Sequence, residues 1–445
     1  MDWEATSNPA LVEAIVASFS GSSKQSALSL STFTYKDWKR TELWLDSSGL
    51  ALYFIDRLSS AGVADAIDNR VRRSLEQKSR DNQERTTDML KEFVAINRLF
   101  EGAGILYANL KGFTVAPDSC PNISLRHQSD YDFLVDPAHL VRARALLVNR
   151  GYVLTGATTR TLEFKYGSPQ QVSIAGRYKA QETRFVELHT ALGPNASSAD
   201  QGKCDERLNR LARCSCDGGS FPALSSADQL VGQALHLLGH LRGEHTRLAW
   251  LLEYRHHVIK RQADDLFWNE VATLAHNHPD VPIALGLCTR LANEFFATVS
   301  CPALDSWTAD VLPSAISLWA VRYGRRSVLA DLPGTKLYLL LDMAIAKTRA
   351  SYSPSSPKHR LMPLRLPARI LRPPAKDSFR LRLNREVVQL RYILYRLRFH
   401  AREAWMHAIE SRRWRKLLEA SSRTVSPAGR PSTWCDESRP TRDSH

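Results

Sequence analysis

The stretch Ser129-Asp130-Tyr131-Asp132-Phe133-Leu134-Val135 places two carboxylates inside an apolar run. Its pattern is typical of a short β-strand, in which side chains alternate between the two faces. Asp130 and Asp132 are therefore expected on one face, with Tyr131 and Phe133 on the other. Aspartate is a poor strand former, and two like charges this close repel each other. The stretch thus predicts a bound cation; a solvated strand edge is the alternative for an isolated Asp-x-Asp motif.

A third carboxylate lies on a second predicted strand, residues 183–189. Alternation places Glu187 and His189 on one face of that strand. Two-metal phosphoryl transfer needs an acidic pair on one strand and a third carboxylate on the neighbouring strand. Divalent cations prefer oxygen ligands, and bridging carboxylates hold two such cations about 4 Å apart. Asp130, Asp132 and Glu187 match this requirement.

The composition is that of an ordinary globular protein of 445 residues, long enough for two or three domains. The sequence has no run of about eighteen uncharged apolar residues, so no transmembrane helix is expected. The N-terminus is acidic where a signal peptide would be basic, and the seven cysteines are an odd number without a Cys-x-x-Cys pair. These features predict reduced thiols and a cytoplasmic protein. A zinc site at Cys204, Cys214, Cys216 and His189 is disfavoured, because the spacing matches no usual zinc pattern.

The basic charge is concentrated near the C-terminus. The net charge is +14, and residues 358–416 hold 17 Lys or Arg against 4 Asp or Glu, a net of +13. A predicted helix at 377–420 carries apolar residues from 383 to 408 at spacings of four and three, typical of a coiled-coil seam. The seam predicts packing against the preceding helices or against a second copy in a homodimer. The arginines around it favour, as alternatives, a nucleic acid or another anionic partner or, less well, an anionic lipid surface.

The order of patterns along the chain predicts six regions. Helical periodicity dominates both ends, and short strands separated by turn residues dominate the part between them. The regions are a helical N-terminal region at 1–84, an α/β core at 85–200, a helical domain at 205–350, a proline-rich linker at 351–376, a basic amphipathic helix at 377–420 and a disordered tail at 421–445.

Several short motifs, in order along the chain, resemble those of a known family. They are Leu110-Lys111-Gly112, Leu125-Arg126, the acidic stretch 129–135, Arg150-Gly151-Tyr152, Glu187-Leu188-His189, and a later helix with His236, His240 and the segment from Arg247 to Glu253. From about residue 85 to 260 the chain is similar to the uncharacterised nucleotidyltransferase family with the Leu-Lys-Gly signature. That family is a branch of the DNA polymerase β-like nucleotidyltransferase superfamily.

The resemblance implies an α/β (α+β) nucleotidyltransferase core with a mixed sheet, flanked here by extensive all-α N- and C-terminal regions. It implies transfer of a nucleoside monophosphate from an NTP, such as ATP, to a small-molecule, peptide or protein acceptor, with two Mg²⁺ ions as cofactors. Asp130, Asp132 and Glu187 would be the metal ligands and the catalytic residues. Glu187 would also help to deprotonate the acceptor.

Four further residues are implied to contact the nucleotide: Lys111, Gly112, Arg126 and Ser129. Gly112 would let the backbone approach phosphate, because it has no side chain. Lys111 offers a point charge to phosphate, and Arg126 offers a second contact. A local salt bridge to Asp130 is the alternative interpretation of Lys111.

Three histidines are candidate supporting residues. His189 is a candidate ligand or proton shuttle, with a purely structural histidine as the alternative. His236 and His240 lie one helical turn apart, a spacing compatible with a metal. No glutamate that could act as a base follows His236 directly, so helix packing or polar support of the site is favoured.

The chain also departs from the superfamily's pattern. Lys111-Gly112 replaces the superfamily's Gly-Ser turn, and Glu187 and Glu253 stand where aspartate is usual. These departures keep two alternatives open. One is a catalytically silent binding protein that retains the fold, and the other is an RNA-acting enzyme or binder that uses the basic helix at 377–420.

Overall fold

The computed structural model describes residues 6–158, 160–167, 176–179, 183–190, 204–216, 219–299, 301–308, 310–348, 360–363, 367 and 378–424. Most of the predicted linker at 351–376, and the predicted tail beyond residue 424, lie outside these ranges. None of the helices within them combines the length and the apolar character that a membrane crossing requires.

Seven strands of the described chain form one sheet. They are β1 Tyr107–Leu110, β2 Asp130–Val135, β3 Val153–Ala157, β4 Thr161–Tyr166, β5 Arg184–His189, β6 Ala212–Cys216 and β7 Gly219–Ala223. Their order across the sheet is β3-β4-β5-β2-β1-β7-β6. The pairs β2–β5 and β1–β7 are parallel and the other neighbours are antiparallel, which confirms the mixed sheet.

Helices precede, interrupt and follow the strands, which confirms the expected fold class of an α+β core with all-α additions. They are α1 Pro9–Ala17, α2 Ser23–Leu30, α3 Tyr35–Ser47, α4 Ala51–Ser60, α5 Asn69–Gly102, α6 Leu140–Asn149, α7 Ser226–Leu241, α8 Leu248–Arg261, α9 Asp265–Asn277, α10 Asp280–Phe295, α11 Pro302–Asp305, α12 Ser314–Trp319, α13 Arg325–Val328, α14 Tyr338–Lys347 and α15 Phe379–Thr424. A π-helical turn, Ala320–Gly324, joins α12 to α13.

The long helix α5 covers the apolar face of the sheet. It begins after Asp68, whose side chain caps it by accepting a hydrogen bond from the backbone N–H of Arg70. Further along, Phe93 and Phe100 pack on Phe133 of β2, with ring centroids 6.5 and 5.3 Å apart. Because side chains alternate along β2, this packing leaves the acidic face of the strand on the opposite side of the sheet.

The hairpin β6–β7 corrects the helical assignment made from sequence for the start of the 205–350 region. The two strands pair with each other, and β7 pairs with β1 where Asn109 lies opposite Ala223. Backbone pairing to the edge of β1 is a long-range interaction that helical periodicity cannot reveal. The local signal is brief: Asp217-Gly218 is a dipeptide typical of two-residue hairpin turns.

Helices from both ends of the chain share one hydrophobic core. The buried indole of Trp44 on α3 donates a hydrogen bond from Nε1 to the carbonyl oxygen of Leu329, at 3.0 Å. Near the other end of the chain, the Trp414 ring of α15 lies 5.8 Å from that of Tyr323. The N-terminal helices therefore pack directly with those that follow the sheet.

The basic helix α15 has two different halves. The N-terminal half exposes the apolar seam, with exposed fractions of 55% at Leu383, 57% at Leu390 and 47% at Leu394. The C-terminal half buries polar residues at spacings of three and four, namely His400, Glu403, His407 and Glu410. Among the described residues, the preceding helices thus cover this polar stripe and leave the predicted seam free.

Replacing Trp44 with alanine tests the shared core. We expect Trp44→Ala to lower the free energy of unfolding by about 3–5 kcal/mol, because it leaves a cavity and deprives the Leu329 carbonyl of its donor. Chemical denaturation measures the change. Leu266→Ala is the control, since Leu266 is 82% exposed and its truncation should change stability by less than about 0.5 kcal/mol. Equal effects of the two substitutions would contradict the shared core.

Candidate active site

Three carboxylates lie on the same face of the sheet. In the parallel pair β2–β5, Asp132 is directly opposite Glu187, and Asp130 is opposite Phe185. Residues opposite each other in a parallel pair point to the same side, and Asp130 shares that side with Asp132. The register therefore brings Asp130, Asp132 and Glu187 together.

His189 links two of these carboxylates. Its Nε2 atom lies 3.1 Å from Asp132 Oδ1 and 3.3 Å from Glu187 Oε2. Its other ring nitrogen, Nδ1, is 3.2 Å from the hydroxyl of Thr161 on β4. Ligand atoms of Asp132, Glu187 and His189 all lie within 4.8 Å of one another. The histidine thus sits where it can support the carboxylates or supply a further ligand.

The surroundings of the cluster shift the pKa values of the two aspartates in opposite directions. Burial raises the pKa of Asp130, and the negative charges of Asp132 and Glu187 raise it further against the opposing charges of Arg126 and Lys111. Burial also acts on Asp132, but the hydrogen bond from His189 and the charge of Lys111 outweigh it and hold the pKa of that carboxyl below its usual range. Asp132 is therefore the more firmly ionised of the pair.

The donor set fits a divalent cation. Asp130, Asp132 and Glu187 offer hard carboxylate oxygens on one face, which is the ligand chemistry that Mg²⁺ prefers. Burial raises the pKa of Asp130, and repulsion among the carboxylates raises it further; a bound cation would relieve this repulsion.

The turn after β1 brings Lys111 and Gly112 next to this face. Both residues have positive φ, +49° and +53°. A side chain at Gly112 would also approach Gln128, whose Oε1 lies 3.3 Å from the position of an added Cβ. The turn therefore favours glycine at 112. Among the described residues no ion pair joins Lys111 to Asp130, so the local salt bridge is not formed, although the lysine's charge acts on the pKa of both aspartates.

Arg126 is fixed by a buried acidic partner. Its Nε lies 3.2 Å from Glu253 Oε1 on α8, and the hydroxyl of Tyr53 donates to the same carboxylate oxygen at 3.0 Å. Burial disfavours the charged guanidinium, but Glu253 reverses the effect and raises the pKa of Arg126. No described residue accepts a hydrogen bond from its terminal Nη atoms, so they remain available to a ligand. Ser129 is exposed at the start of β2.

A cavity of about 260 Å³ adjoins the cationic side of the cluster. Lys111 and Arg126 line it from the sheet, and α7 and α8 close the opposite side with Gln233, His236 and Trp250. Its walls combine cations with flat rings, the features suited to a ligand with both phosphate and aromatic parts.

His236 and His240 form an aromatic cluster with Trp250. The two imidazoles lie 4.6 Å apart, and each is within 4.8 Å of the indole ring. Burial, aided by the nearby charge of Lys111, lowers the pKa of His236 to about 3, so its ring is neutral at ordinary pH. Within the described ranges neither histidine belongs to a group with metal-ligand geometry.

Three residues near the site were not predicted from the sequence. Glu163 of β4 lies opposite Glu187 and adds a fourth, exposed carboxylate to the same face. Arg85 of α5 is only 4% exposed, and no described residue accepts a hydrogen bond from its Nε or Nη1. Burial lowers the pKa of Arg85 to about 10, while the charge of Asp130 opposes the shift. Tyr53 comes from the N-terminal helices. Only the alternation of β4 hinted at Glu163; tertiary packing alone brings Arg85 and Tyr53 here.

A family model described as "Uncharacterised nucleotidyltransferase" matches residues 34–297, more than half of the chain. The match begins before the sheet and ends after α10, and so exceeds the 85–260 stretch of resemblance at both ends. It includes the elements that carry Tyr53, the three carboxylates and Glu253. A search of curated proteins finds no match.

Breaking the pair between Arg126 and Glu253 tests how the site is held. We expect Glu253→Ala to lower the free energy of unfolding by about 3–5 kcal/mol, because it strands a buried guanidinium. The double variant Arg126→Met/Glu253→Met should lose less than the single one, since neither charge is then left alone. Thermal and chemical unfolding provide the measurement. Asp88→Ala, at an exposed ion pair with Lys91, is the control and should lose under about 1 kcal/mol. A double variant less stable than Glu253→Ala would contradict this account.

Proposed function

The chain belongs to the uncharacterised nucleotidyltransferase family, and on that premise we propose that it is a Mg²⁺-dependent enzyme that transfers a nucleoside monophosphate from an NTP to an acceptor. The acceptor is a small molecule, a peptide or a protein. The observation that carries the proposal is the register of β2 and β5, which sets Asp132 beside Glu187 with Asp130 on the same face.

Each residue of the cluster has a role in this proposal. Asp130, Asp132 and Glu187 hold the Mg²⁺ ions, which when bound supply positive charge to the reacting phosphate. The side chain of Glu187 is 33% exposed against 7% for Asp132, so Glu187 is the better placed to take a proton from the acceptor. His189 positions both carboxylates through its Nε2 atom.

The cationic side of the cluster binds the nucleotide. Lys111 presents an exposed ammonium group, and the backbone at Gly112 can approach a phosphate closely. Arg126, held by Glu253, directs its free Nη atoms to a second phosphate oxygen. Ser129 adds a hydroxyl at the start of β2.

Binding of labelled NTPs in the presence and absence of Mg²⁺ tests the proposal. Asp130→Asn and Asp132→Asn should each weaken the Mg²⁺-dependent affinity at least about tenfold, because each removes a charged ligand. Asp88→Asn, an exposed carboxylate on α5, should bind like the unaltered protein. Incubation with labelled NTPs and a host lysate would then identify the acceptor. A folded protein with no Mg²⁺-dependent NTP binding would overturn the proposal and favour a silent binding protein.

The exposed half of α15 favours a second candidate function, binding of RNA or another anionic partner. None of the described residues covers its apolar seam, and the exposed arginines Arg380, Arg382 and Arg391 flank it. A second copy would bring like charges together, which disfavours a homodimer through 383–408. An anionic chain would instead neutralise them.

Titration of RNA affinity against salt tests this candidate. We expect the triple variant Arg380→Gln/Arg382→Gln/Arg391→Gln to weaken binding and to reduce the slope of log affinity against log salt by about 2, at roughly 0.7 per lost contact with a single strand. The control Lys24→Gln/Lys91→Gln/Arg144→Gln makes the same charge change at exposed positions elsewhere. Equal slopes in both triple variants would exclude α15 as the binding surface.

A further inference from the structure

The C-terminal end of α3 contacts the side chains of two arginines that are far apart in the sequence. Arg177 donates a hydrogen bond from Nη1 to the backbone carbonyl oxygen of Asp46, at 2.9 Å. The aliphatic stem of Arg247 passes Gly49, where an added Cβ would lie 3.8 Å from Arg247 Cδ. The end of this one helix therefore supports both arginines.

Arg177 is also fixed through its backbone. Its carbonyl oxygen lies 3.0 Å from Nε2 of His127, and because a carbonyl can only accept, the proton of the imidazole is on Nε2. The next residue, Tyr178, is only 2% exposed and donates from its hydroxyl to Asp46 Oδ1 at 2.9 Å. Since His127 directly follows Arg126 in the chain, these bonds fix Arg177 beside the segment that carries Arg126.

Neither arginine has a carboxylate partner in the part of the chain that the structure describes. No salt bridge there includes Arg177 or Arg247. The carboxylate of Asp46 is taken by the ammonium group of Lys78, whose Nζ lies 2.9 Å from Oδ2 and 3.0 Å from Oδ1. The two guanidinium charges are therefore not neutralised by an ion pair.

The concentration of positive charge affects the pKa values of the groups around it. Burial lowers the pKa of Arg247, and the charges of Arg177 and Arg126 lower it further. The negative charge of Asp130 opposes this shift without reversing it. Burial, followed by the charge of Arg247, lowers the pKa of His245 to about 4, so this ring is neutral at ordinary pH. A bound anion would relieve the repulsion among these cations.

The guanidinium groups can be reached by a ligand. No described residue accepts a hydrogen bond from Arg247, and none of its three side-chain nitrogens is closed off from solvent. Its Cζ atom lies 5.2 Å from the centroid of the Trp250 ring, a contact that orients the side chain without using its N–H donors. The Nε and Nη2 atoms of Arg177 likewise have no described acceptor and are open to solvent.

We propose that Arg177 and Arg247, together called the arginine site, bind a phosphate group in addition to the phosphate contacts of Lys111 and Gly112. A guanidinium presents paired N–H donors that match two phosphate oxygens. A terminal phosphate carries about two negative charges at neutral pH and so balances both arginines, whereas a carboxylate balances only one. The inference rests on the proposed function for the source of this phosphate, which is the γ-phosphate of the NTP or a phosphate carried by the acceptor.

Mg²⁺-dependent binding of ATP and of ADP tests the γ-phosphate as the source. In that case we expect Arg247→Gln to weaken ATP binding at least about tenfold and ADP binding less than about threefold, because only ATP has the group that the arginine site holds. Arg98→Gln makes the same charge change at an exposed position of α5 and should leave both affinities unchanged.

Inorganic phosphate tests the acceptor as the source. It is titrated at constant ionic strength into the protein saturated with ATP and Mg²⁺, and thermal melting reports its binding. If the acceptor carries the phosphate, inorganic phosphate should raise the melting temperature of the unaltered protein and of Arg98→Gln but not of Arg247→Gln. ATP binding by Arg247→Gln should then stay within about threefold of the unaltered protein.

Arg177→Gln should reproduce the effect of Arg247→Gln in whichever of the two experiments responds. Melting without ligand shows that each variant is folded; should Arg247→Gln unfold, Arg177→Gln decides. Folded variants that bind ATP, ADP and inorganic phosphate like the unaltered protein would overturn the arginine site and leave the proposed function standing. Absence of Mg²⁺-dependent nucleotide binding in the unaltered protein would overturn the proposed function. Phosphate binding without nucleotide would then decide the arginine site alone, and equal binding by the unaltered protein and Arg247→Gln would overturn it.

Discussion

Parallel pairing between β2 and β5 sets Asp132 directly beside Glu187, and most of the site follows from that register. A slip of one residue would send the side chains of one strand to the opposite face and disperse the carboxylates. The register is held because the other face of both strands is apolar and packs on α5 and α6 through residues such as Phe133 and Val186. At an effective dielectric constant of about 20, two like charges 4 Å apart repel by about 4 kcal/mol. The apolar packing thus keeps together groups whose charges oppose it.

The local sequence pattern was sufficient to predict structure where the interaction is itself local. Alternation along one strand is enough to place Asp130 and Asp132 on a common face. The sequence pattern predicts less where the paired strands are far apart along the chain. β7 pairs with β1 from more than a hundred residues away, and nothing in the local pattern of residues 212–223 except a short turn signal indicates this.

Helix α15 shows a second limit of sequence patterns. The apolar spacing in the sequence identified a seam on this helix. The preceding helices instead cover the polar stripe that contains His400, Glu403 and Glu410, and they leave Leu390 of the seam exposed. Polar groups that face α15 determine which side is covered. The hydroxyl of Tyr323 donates to Glu410 at 2.9 Å, and the backbone N–H of Lys336, in the loop before α14, donates to Glu403 at 3.0 Å. Periodicity predicts which residues share a face; it does not reveal what lies opposite.

The backbone of Lys111 has a consequence for how stability and activity are balanced. A lysine at φ +49° is uncommon, and such conformations cost on the order of 1–3 kcal/mol for a residue other than glycine. Judged by stability alone, glycine would be the better residue at this position. A strained lysine next to an acidic cluster is therefore a place where folding free energy has been given up to keep one ammonium group in position, and the stability lost at this position would be regained only by losing that charge.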